Sequence, residues 1–484
     1  MSAARRGAIP RGSPRSARRA GGVADVAAGE SCTVLVLAAG RSTRMKSEKS
    51  KLLHLLRGKP ILARTLVNAG EVGRVYCVVG DGADEMRAIA EEHGAQVIVQ
   101  EPPLGTGHAV LCAEQSLRGR SGTLLILNGD VPLAGPEILS SLVAFHVARR
   151  CDLTVLSTRP PDPGRYGRIV RRGSDLEAIV EYLDASARVR AVGEINAGIY
   201  CARIPAVFPY LHKLTNKNEK REYYLTDLVA VLRRARRKVA CMFMPAWREL
   251  LGINDRTDLD EAEAILNRGK IRALQREGVS VRSSCNTFIG DDVSIAPDTT
   301  VHPFSIIDGK TRIGRHCVIM PFTRVVDSTL GDRVTVLGSS LIVDSVIEGG
   351  STVGPFCHLR GRTRILRDSK VGNFVEMKKT AFGPASKAMH LTYLGDATVG
   401  EAVNVGAGTI TCNYDGVSKN PTHVERGVFI GSGTELVAPV RVGEGAYVAA
   451  GSTITEDVPA GSLGIARARQ ITKEGWAARR KGKS

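Results

Sequence analysis

The chain has 484 residues, 43% hydrophobic and 5% aromatic, with 52 glycines and a formal net charge of +18. That length allows two domains or more with real cores, no apolar run is long enough to span a membrane, and the start lacks the apolar stretch of a secretory signal. The charge suggests nucleic acid only until it is located: residues 1–30 hold six Arg against two acids and residues 467–484 hold seven Lys/Arg against one Glu, so +10 of the +18 sits in two tails. No basic helix is interleaved with aromatics, so neither a nucleic-acid partner nor stable membrane association is expected. Ten cysteines run from Cys32 to Cys412 without a CxxC pair or zinc-ligand spacing. Reduced thiols in a cytoplasmic protein are the expectation.

Residues 1–30 are rich in Arg, Ala, Gly and Ser and read as a disordered basic extension. Order is expected from residue 31. TVLVLAAG (33–40), VYCVVG (75–80), AQVIVQ (95–100), TLLILNGD (123–130) and DLTVLST (152–158) are apolar enough for buried strands. ADEMRAIAEEH (83–93) and GHAVLCAEQSL (107–117) read as helices between them. Such alternation predicts a Rossmann-like α/β domain with a mainly parallel sheet over residues 31–254, with function at the C-terminal ends of its strands. Residues 255–280 read as a helical linker.

Three segments of this half carry chemistry. In LAAGRSTRM, Gly40 lets backbone N–H groups approach a phosphate, with Arg41, Arg44 and Lys51 adding positive charge. LGTGHA (104–109) is a second glycine turn, suited to close contact with a base or sugar. LNGDVPL (127–133) sets Asp130 at the end of a buried strand, where a carboxylate beside a phosphate loop suits Mg²⁺.

The second half changes period. Ile430, Leu436, Val442, Val448 and Ile454 recur every six residues, as do Ile289, Ile295 and Val301. Hexads over more than 150 residues predict a left-handed parallel β-helix, three hexads to a triangular coil, over residues 281–466. Gly follows many of the aliphatic positions and is expected to turn the corners. The rhythm lapses between Val375 and Val399, where Glu376, Lys378, Lys379, His390 and Tyr393 stand, and again at NYDG (413–416). A scaffold that lapses to present charge and imidazole is expected to raise a protruding catalytic loop there. Residues 467–484 form a C-terminal arm and basic tail.

LAAGRSTRM, SKLLH, LGTGHA, GDVPL, YGRIV, EINAGIY and EYYLTD resemble a sugar-nucleotidyltransferase domain in order and spacing. With the hexads attached, the chain resembles the bacterial bifunctional N-acetylglucosamine-1-phosphate uridyltransferase/glucosamine-1-phosphate acetyltransferase family from about residue 31 to about residue 477. The resemblance implies acetyl-CoA-dependent N-acetylation of glucosamine 1-phosphate, then uridylyl transfer from UTP. It implies that Leu37, Ala38, Ala39 and Gly40 line the nucleotide, with Asn128 and Gly129 beside it. Lys51 and Arg44 would neutralise the triphosphate, and Gln100 with Gly105 and Thr106 would read uracil. Asp130 and Asn254 would hold Mg²⁺, while Gly167, Glu181 and Asn196 would bind the sugar.

In the hexad half the resemblance makes His390 the general base, a role suited to an imidazole, whose ordinary pKa is about 6.5. Glu376 would fix its tautomer and Ser432 would support the tetrahedral intermediate. Arg360, Lys378, Tyr393, Asn404 and Lys419 would hold the sugar phosphate, and Ala407, Asn413, Tyr414, Ser432, Ala450 and Arg467 the acetyl-CoA. A homotrimer is implied, with Trp476 anchoring the arm on a neighbour. The chain departs from the family at Ser42, Ser50, Pro102, Pro103 and Asn128. Two other readings stand beside this one: a sugar-1-phosphate nucleotidyltransferase with a regulatory β-helix, and a non-enzymatic assembly scaffold.

Overall fold

The computed structural model describes residues 31–40 and 44–481. The expected basic extension, Arg41 and Ser42 lie outside the described residues. The chain divides into two units, one ending at Ala262 and the other starting at Glu263.

The first unit is built on a nine-stranded sheet. Its strands are β1 (Cys32–Ala38), β2 (Arg74–Gly80), β3 (Gln96–Gln100), β4 (Thr123–Asn128), β5 (Leu153–Thr158), β6 (Arg168–Arg172), β7 (Asp175–Val180), β8 (Ile195–Arg203) and β9 (Val239–Phe243). The order is β9-β5-β8-β4-β1-β2-β3, with the hairpin β6–β7 joined to β8. Along that path only β8 runs antiparallel, against β4 and β5. The central strands are apolar runs because both faces are covered: Val34, Leu35 and Val36 are fully buried, and so are Leu124, Leu125 and Ile126. Truncating one such leucine to alanine costs about 2–5 kcal/mol. β1 and β4 are level at Leu37 and Asn128, so the turns that follow them open on one edge.

The sequence reading found five strands here. It saw β6 and β8 only as the motifs YGRIV and EINAGIY, and it missed β7 and β9. The helix expected over 107–117 begins at Thr106 and is divided at Ala113 into Thr106–Cys112 and Glu114–Leu117. Gly105 precedes it at φ 110, and a Cβ there would meet Tyr223 O at 2.8 Å. Only glycine suits that turn. A single helix, Arg256–Arg276, crosses the division between the units.

The second unit is a left-handed parallel β-helix of short strands, with each coil pairing to the next in parallel. Thr300 pairs with Val318, 18 residues on, and Arg324 with Leu341, 17 on. The interior is one continuous, mainly aliphatic core that includes Ile289, Ile319, Ile342, Leu359 and Ile430, each fully buried.

Three expectations are corrected. First, the hexads are not strict: from Val371 the interior runs Met377, Phe382, Ala388, Leu394, Val399 and Val405, so some steps are five. A 17-residue coil has one short side. The apparent lapse over 375–399 is this shortened rhythm filled by Met, Phe and Ala. Second, that segment is no protruding loop. Lys370–Lys378 and Lys387–Gly395 are nine-residue strands paired in parallel. The true insertion is residues 413–421, across which Val399 pairs with Val424 and Thr411 with Leu436, 25 positions apart.

Third, glycine turns some corners but shares them with other residues: Gly309, Gly350, Gly408, Gly433 and Gly451 sit at φ from 65 to 75. Phe304, Phe322, Phe356, Phe374 and Leu391 take corners at φ from 45 to 62. The left-handed conformation costs an L-residue about 1–2 kcal/mol. Ring stacking offsets part of that cost, with Phe304 on Phe322 at 5.0 Å and Phe356 on Phe374 at 5.2 Å. Glycines such as Gly331, directly after an aliphatic residue, serve close approach of coils instead: a Cβ there would meet Gly349 N at 2.7 Å.

Candidate active sites

The first unit holds a cavity of about 740 Å³ at the C-terminal ends of β1, β3 and β4. Every described residue that the resemblance assigned to the nucleotide and its sugar lines it. Leu37 to Gly40 form one wall where β1 ends, and Asn128, Gly129 and Asp130 follow β4 beside them. Gly129 N donates to Leu37 O at 2.9 Å, which ties the two turns together.

Lys51 Nζ donates to Asp130 Oδ2 and, at 3.4 Å, to Asn254 Oδ1; Arg44 Nη2 donates to the same Asn254 oxygen at 2.7 Å. One ammonium thus bridges the two oxygens proposed for a metal. Gly252 packs so closely on Asp130 that a Cβ would meet its Oδ1 at 3.1 Å. Two oxygen ligands fit Mg²⁺, which keeps its remaining positions for water and phosphate. Among the described residues no group of three or more His, Cys, Asp and Glu forms a metal cage.

At the far end, Glu181 accepts from Thr226 Oγ1 at 3.1 Å, and burial raises its pKa despite that bond. Asn196 donates to Tyr200 Oη at 2.6 Å and accepts from Gly198 N at 3.0 Å. Gln100 donates to Gly105 O at 3.0 Å.

Sequence reasoning missed Arg165, Tyr166, Lys220, Glu222 and Gly252, which also line the cavity. YGRIV and EYYLTD signalled two of these stretches, but no role followed from them. Tyr166 Oη accepts from Gly252 N at 3.1 Å and holds the turn that carries Asn254. Burial, then Asp130 and Asp258, push its phenol up to about 12.

The second unit gathers a second constellation. Arg360 and Lys378 are in register on adjacent coils. Lys419, from the inserted hairpin, lies against Lys378 and lowers its pKa, with Arg360 and Lys379 adding to the effect. Such a cluster of like charge suits a phosphate dianion. Tyr393 and Asn413 converge over Gly395, where a Cβ would meet Asn413 Nδ2 at 2.8 Å. The hairpin closes with Tyr414 bridged to Lys419. Asp415 pins it by accepting from the Ser418 and Val417 amides and from the Asn420 and Ser418 side chains, which hold its carboxyl far below the usual range.

His390 is exposed, and its Nδ1 meets Asn373 Oδ1 at 2.8 Å. Glu376, expected on His390, is instead paired with Arg360. The register explains this: Asn373 lies opposite His390, while Glu376 lies opposite Tyr393, beyond the corner at Phe374. Asn404 is in register with Lys387, and its side chain makes no hydrogen bond among the described residues. Ala407, Ser432 and Ala450 stack on successive coils: their carbonyls accept from Gly433 N at 2.7 Å, Gly451 N at 2.8 Å and Arg467 Nη1 at 2.7 Å.

A cavity lined by glycine turns and the cations Arg44 and Lys51 on an α/β sheet, joined to a hexad β-helix bearing imidazole and cations, defines a two-domain transferase. The MobA-like NTP transferase domain family matches residues 34–277, the GMPPB C-terminal domain residues 289–415, and bacterial transferase hexapeptide repeats residues 421–456. The chain is 41% identical to the bifunctional protein GlmU of Koribacter versatilis, over 93% of this chain and 97% of that one. It is 44% identical to that of an Exiguobacterium species (92% and 99%) and 45% to that of Fervidobacterium nodosum (93% and 97%). The chain belongs to the GlmU family of bifunctional proteins.

Proposed function

We propose that the two sites divide the labour as their chemistry suggests, with acetyl transfer in the second unit and uridylyl transfer in the first. The chain is a bifunctional enzyme of UDP-N-acetylglucosamine synthesis. It acetylates glucosamine 1-phosphate with acetyl-CoA, then transfers uridylyl from UTP to N-acetylglucosamine 1-phosphate and releases pyrophosphate. The regulatory-coil and scaffold readings are not favoured.

In the acetyl step, Arg360, Lys378 and Lys419 hold the sugar phosphate, with Tyr393 and Asn404 at its side. Asn373 Oδ1 is an acceptor, so Nδ1 of His390 carries the proton and Nε2 is left basic. Nε2 takes a proton from the sugar ammonium as the amine attacks the thioester carbonyl. Asn413, Tyr414, Ala407, Ala450 and Arg467 line the acetyl-CoA, and Ser432 supports the tetrahedral oxyanion. Glu376 acts through Arg360, which it orients.

In the uridylyl step, a phosphate oxygen of N-acetylglucosamine 1-phosphate attacks the α-phosphorus directly. The protein aligns the two substrates and stabilises charge. Gln100, Gly105 and Thr106 hold the base; Glu181, Asn196 and Gly167 hold the acetylated sugar. Lys51 and Arg44 meet the charge that moves onto pyrophosphate. Asp130 and Asn254 hold Mg²⁺, which when bound supplies further positive charge to the phosphates.

The hexapeptide coil supports oligomerisation. A homotrimer is the proposed state, with the half-exposed Trp476 of the terminal arm as an anchor on a neighbouring copy. The chain has no described helix long and apolar enough to cross a membrane, and a cytoplasmic location goes with the proposal.

The observation that carries the two-site reading is that Lys51, Asp130, Asn254 and Gln100 line one cavity while His390, Lys378 and Lys419 belong to another unit. The test is to supply glucosamine 1-phosphate, acetyl-CoA, UTP and Mg²⁺ and to follow CoA thiol and pyrophosphate separately. The wild type releases both. His390→Ala loses thiol release yet forms pyrophosphate from N-acetylglucosamine 1-phosphate. Pyrophosphate without thiol from the wild type would overturn the acetyltransferase assignment.

A further inference from the structure

Gln100 is 3% exposed and ends β3 against the helix Thr106–Cys112. Its Nε2 is 3.0 Å from Gly105 O and 3.0 Å from His108 Nδ1. A carbonyl oxygen only accepts, so the amide nitrogen must face Gly105. One proton of that nitrogen goes to the carbonyl, and the other goes to the imidazole. Nδ1 of His108 is therefore the bare nitrogen, and its proton resides on Nε2, which faces Cys112 Sγ one helical turn on at 4.0 Å. Both amide protons are thus committed inward. Oε1 accepts no hydrogen bond among the described residues and is not sealed from solvent, while Gln100 lines the cavity.

We propose that His108 is a positioning residue for base selectivity: by accepting from Gln100, it fixes the amide so that only an acceptor, Oε1, faces the base. This rests on the reading of Gln100 as a base-contacting residue. Uracil presents N3–H, a donor that matches Oε1. Cytosine presents a lone pair at N3, which Oε1 repels and which a reversed amide would satisfy. The lock therefore favours UTP over CTP through an atom that never touches the nucleotide. It has two parts, and the Gly105 carbonyl persists when His108 is changed, so loss of the imidazole weakens the preference without abolishing it.

The test is uridylyl transfer to N-acetylglucosamine 1-phosphate with UTP and with CTP, in the full-length protein. Wild type, His108→Leu, His108→Asn and Gln100→Leu are compared as ratios of kcat/KM. His108→Leu fills the space but offers no acceptor, and its UTP/CTP ratio falls by about twofold to tenfold, the range one hydrogen bond spans. The change lies mainly in KM for UTP. His108→Asn places an oxygen near the former Nδ1 and retains most of the ratio. A packing role predicts the opposite order, with leucine the better substitute.

An unchanged ratio in His108→Leu, with a lowered one in Gln100→Leu, overturns the lock but leaves Gln100 as the base reader. An unchanged ratio in Gln100→Leu overturns the reading of Gln100 itself. Should His108→Leu fail to fold, ¹⁵N chemical shifts of the wild-type imidazole decide the matter: a protonated Nδ1 in the neutral ring is incompatible with the proposal.

Discussion

Asn373 and His390 stand opposite each other on successive coils, and their side chains meet through Oδ1 and Nδ1 at 2.8 Å. The amide oxygen fixes one tautomer, so the base that receives the substrate proton is set by a neutral neighbour. Asn373→Ala is expected to lower kcat for acetyl transfer by about tenfold or more, within the range general-base catalysis contributes. Uridylyl transfer stays unchanged. Asn373→Asp restores the contact and adds negative charge, which favours the imidazolium and moves the acid limb of the kcat profile to higher pH. A pH–rate series of the two variants checks this, and coincident wild-type and Asn373→Asp limbs would refute it.

Lys51 bridges Asp130 and Asn254. Lys51→Ala is expected to lower kcat for uridylyl transfer by about 10²–10³, the loss seen when one preorganised charge or donor is removed. Asp130→Asn should raise the Mg²⁺ concentration needed for half-maximal rate. Both variants keep acetyl transfer, measured as CoA thiol in the same preparation.

Asp415 organises the hairpin that presents Asn413, Tyr414 and Lys419. Because four hydrogen bonds hold its carboxyl ionised far below the usual range, the hairpin stays pinned across the working pH range. Asp415→Ala frees those amides and is expected to raise KM for acetyl-CoA severalfold, with a smaller change in kcat. Steady-state kinetics with varied acetyl-CoA provide the measurement.

His146 is buried on the helix Pro136–Arg149, where its Nδ1 meets Thr154 Oγ1 at 2.9 Å. Burial, and then the nearby Arg203, lower its pKa to about 4. The folded pKa lies below the unfolded one, so the unfolded chain binds the extra proton first as pH falls. Stability from this group is complete above about pH 6.5 and declines as the pH drops toward 4. Over that interval the loss is about 3 kcal/mol, at ~1.4 kcal/mol per pH unit. Denaturant unfolding of the wild type and His146→Phe at pH 7 and pH 5 checks it: the gap between the two should narrow at the lower pH.

Much of the first site was legible because strand, glycine turn and polar tip are local. LAAG and LNGD each contain an apolar run and the residue that follows it, and a parallel sheet brings such ends to one edge. Arg165, Tyr166, Lys220 and Glu222 were not legible in the same way. They reach the cavity on connections whose path depends on the hairpin β6–β7 and on β8, and no period marks that path. The bond from Gln100 to His108 is of the same kind: eight positions apart, on a strand and a helix, the two meet only once the turn at Gly105 is folded.

In the second unit the six-residue recurrence determined the coil, because each side of a triangular β-helix must return one small or aliphatic side chain to the same interior slot. It identified His390 and the cations as out of character. Their partners were decided by register. A coil of 17 or 18 residues sets Asn373 against His390 and Glu376 against Tyr393, so a reading by family likeness put Glu376 on the imidazole while the structure pairs it with Arg360. The sequence by itself determined which residue types are available and the periods at which they recur. The tertiary structure decided which of them touch, because a one-residue shortening of a coil or an inserted hairpin changes every contact above it while leaving the local pattern almost intact.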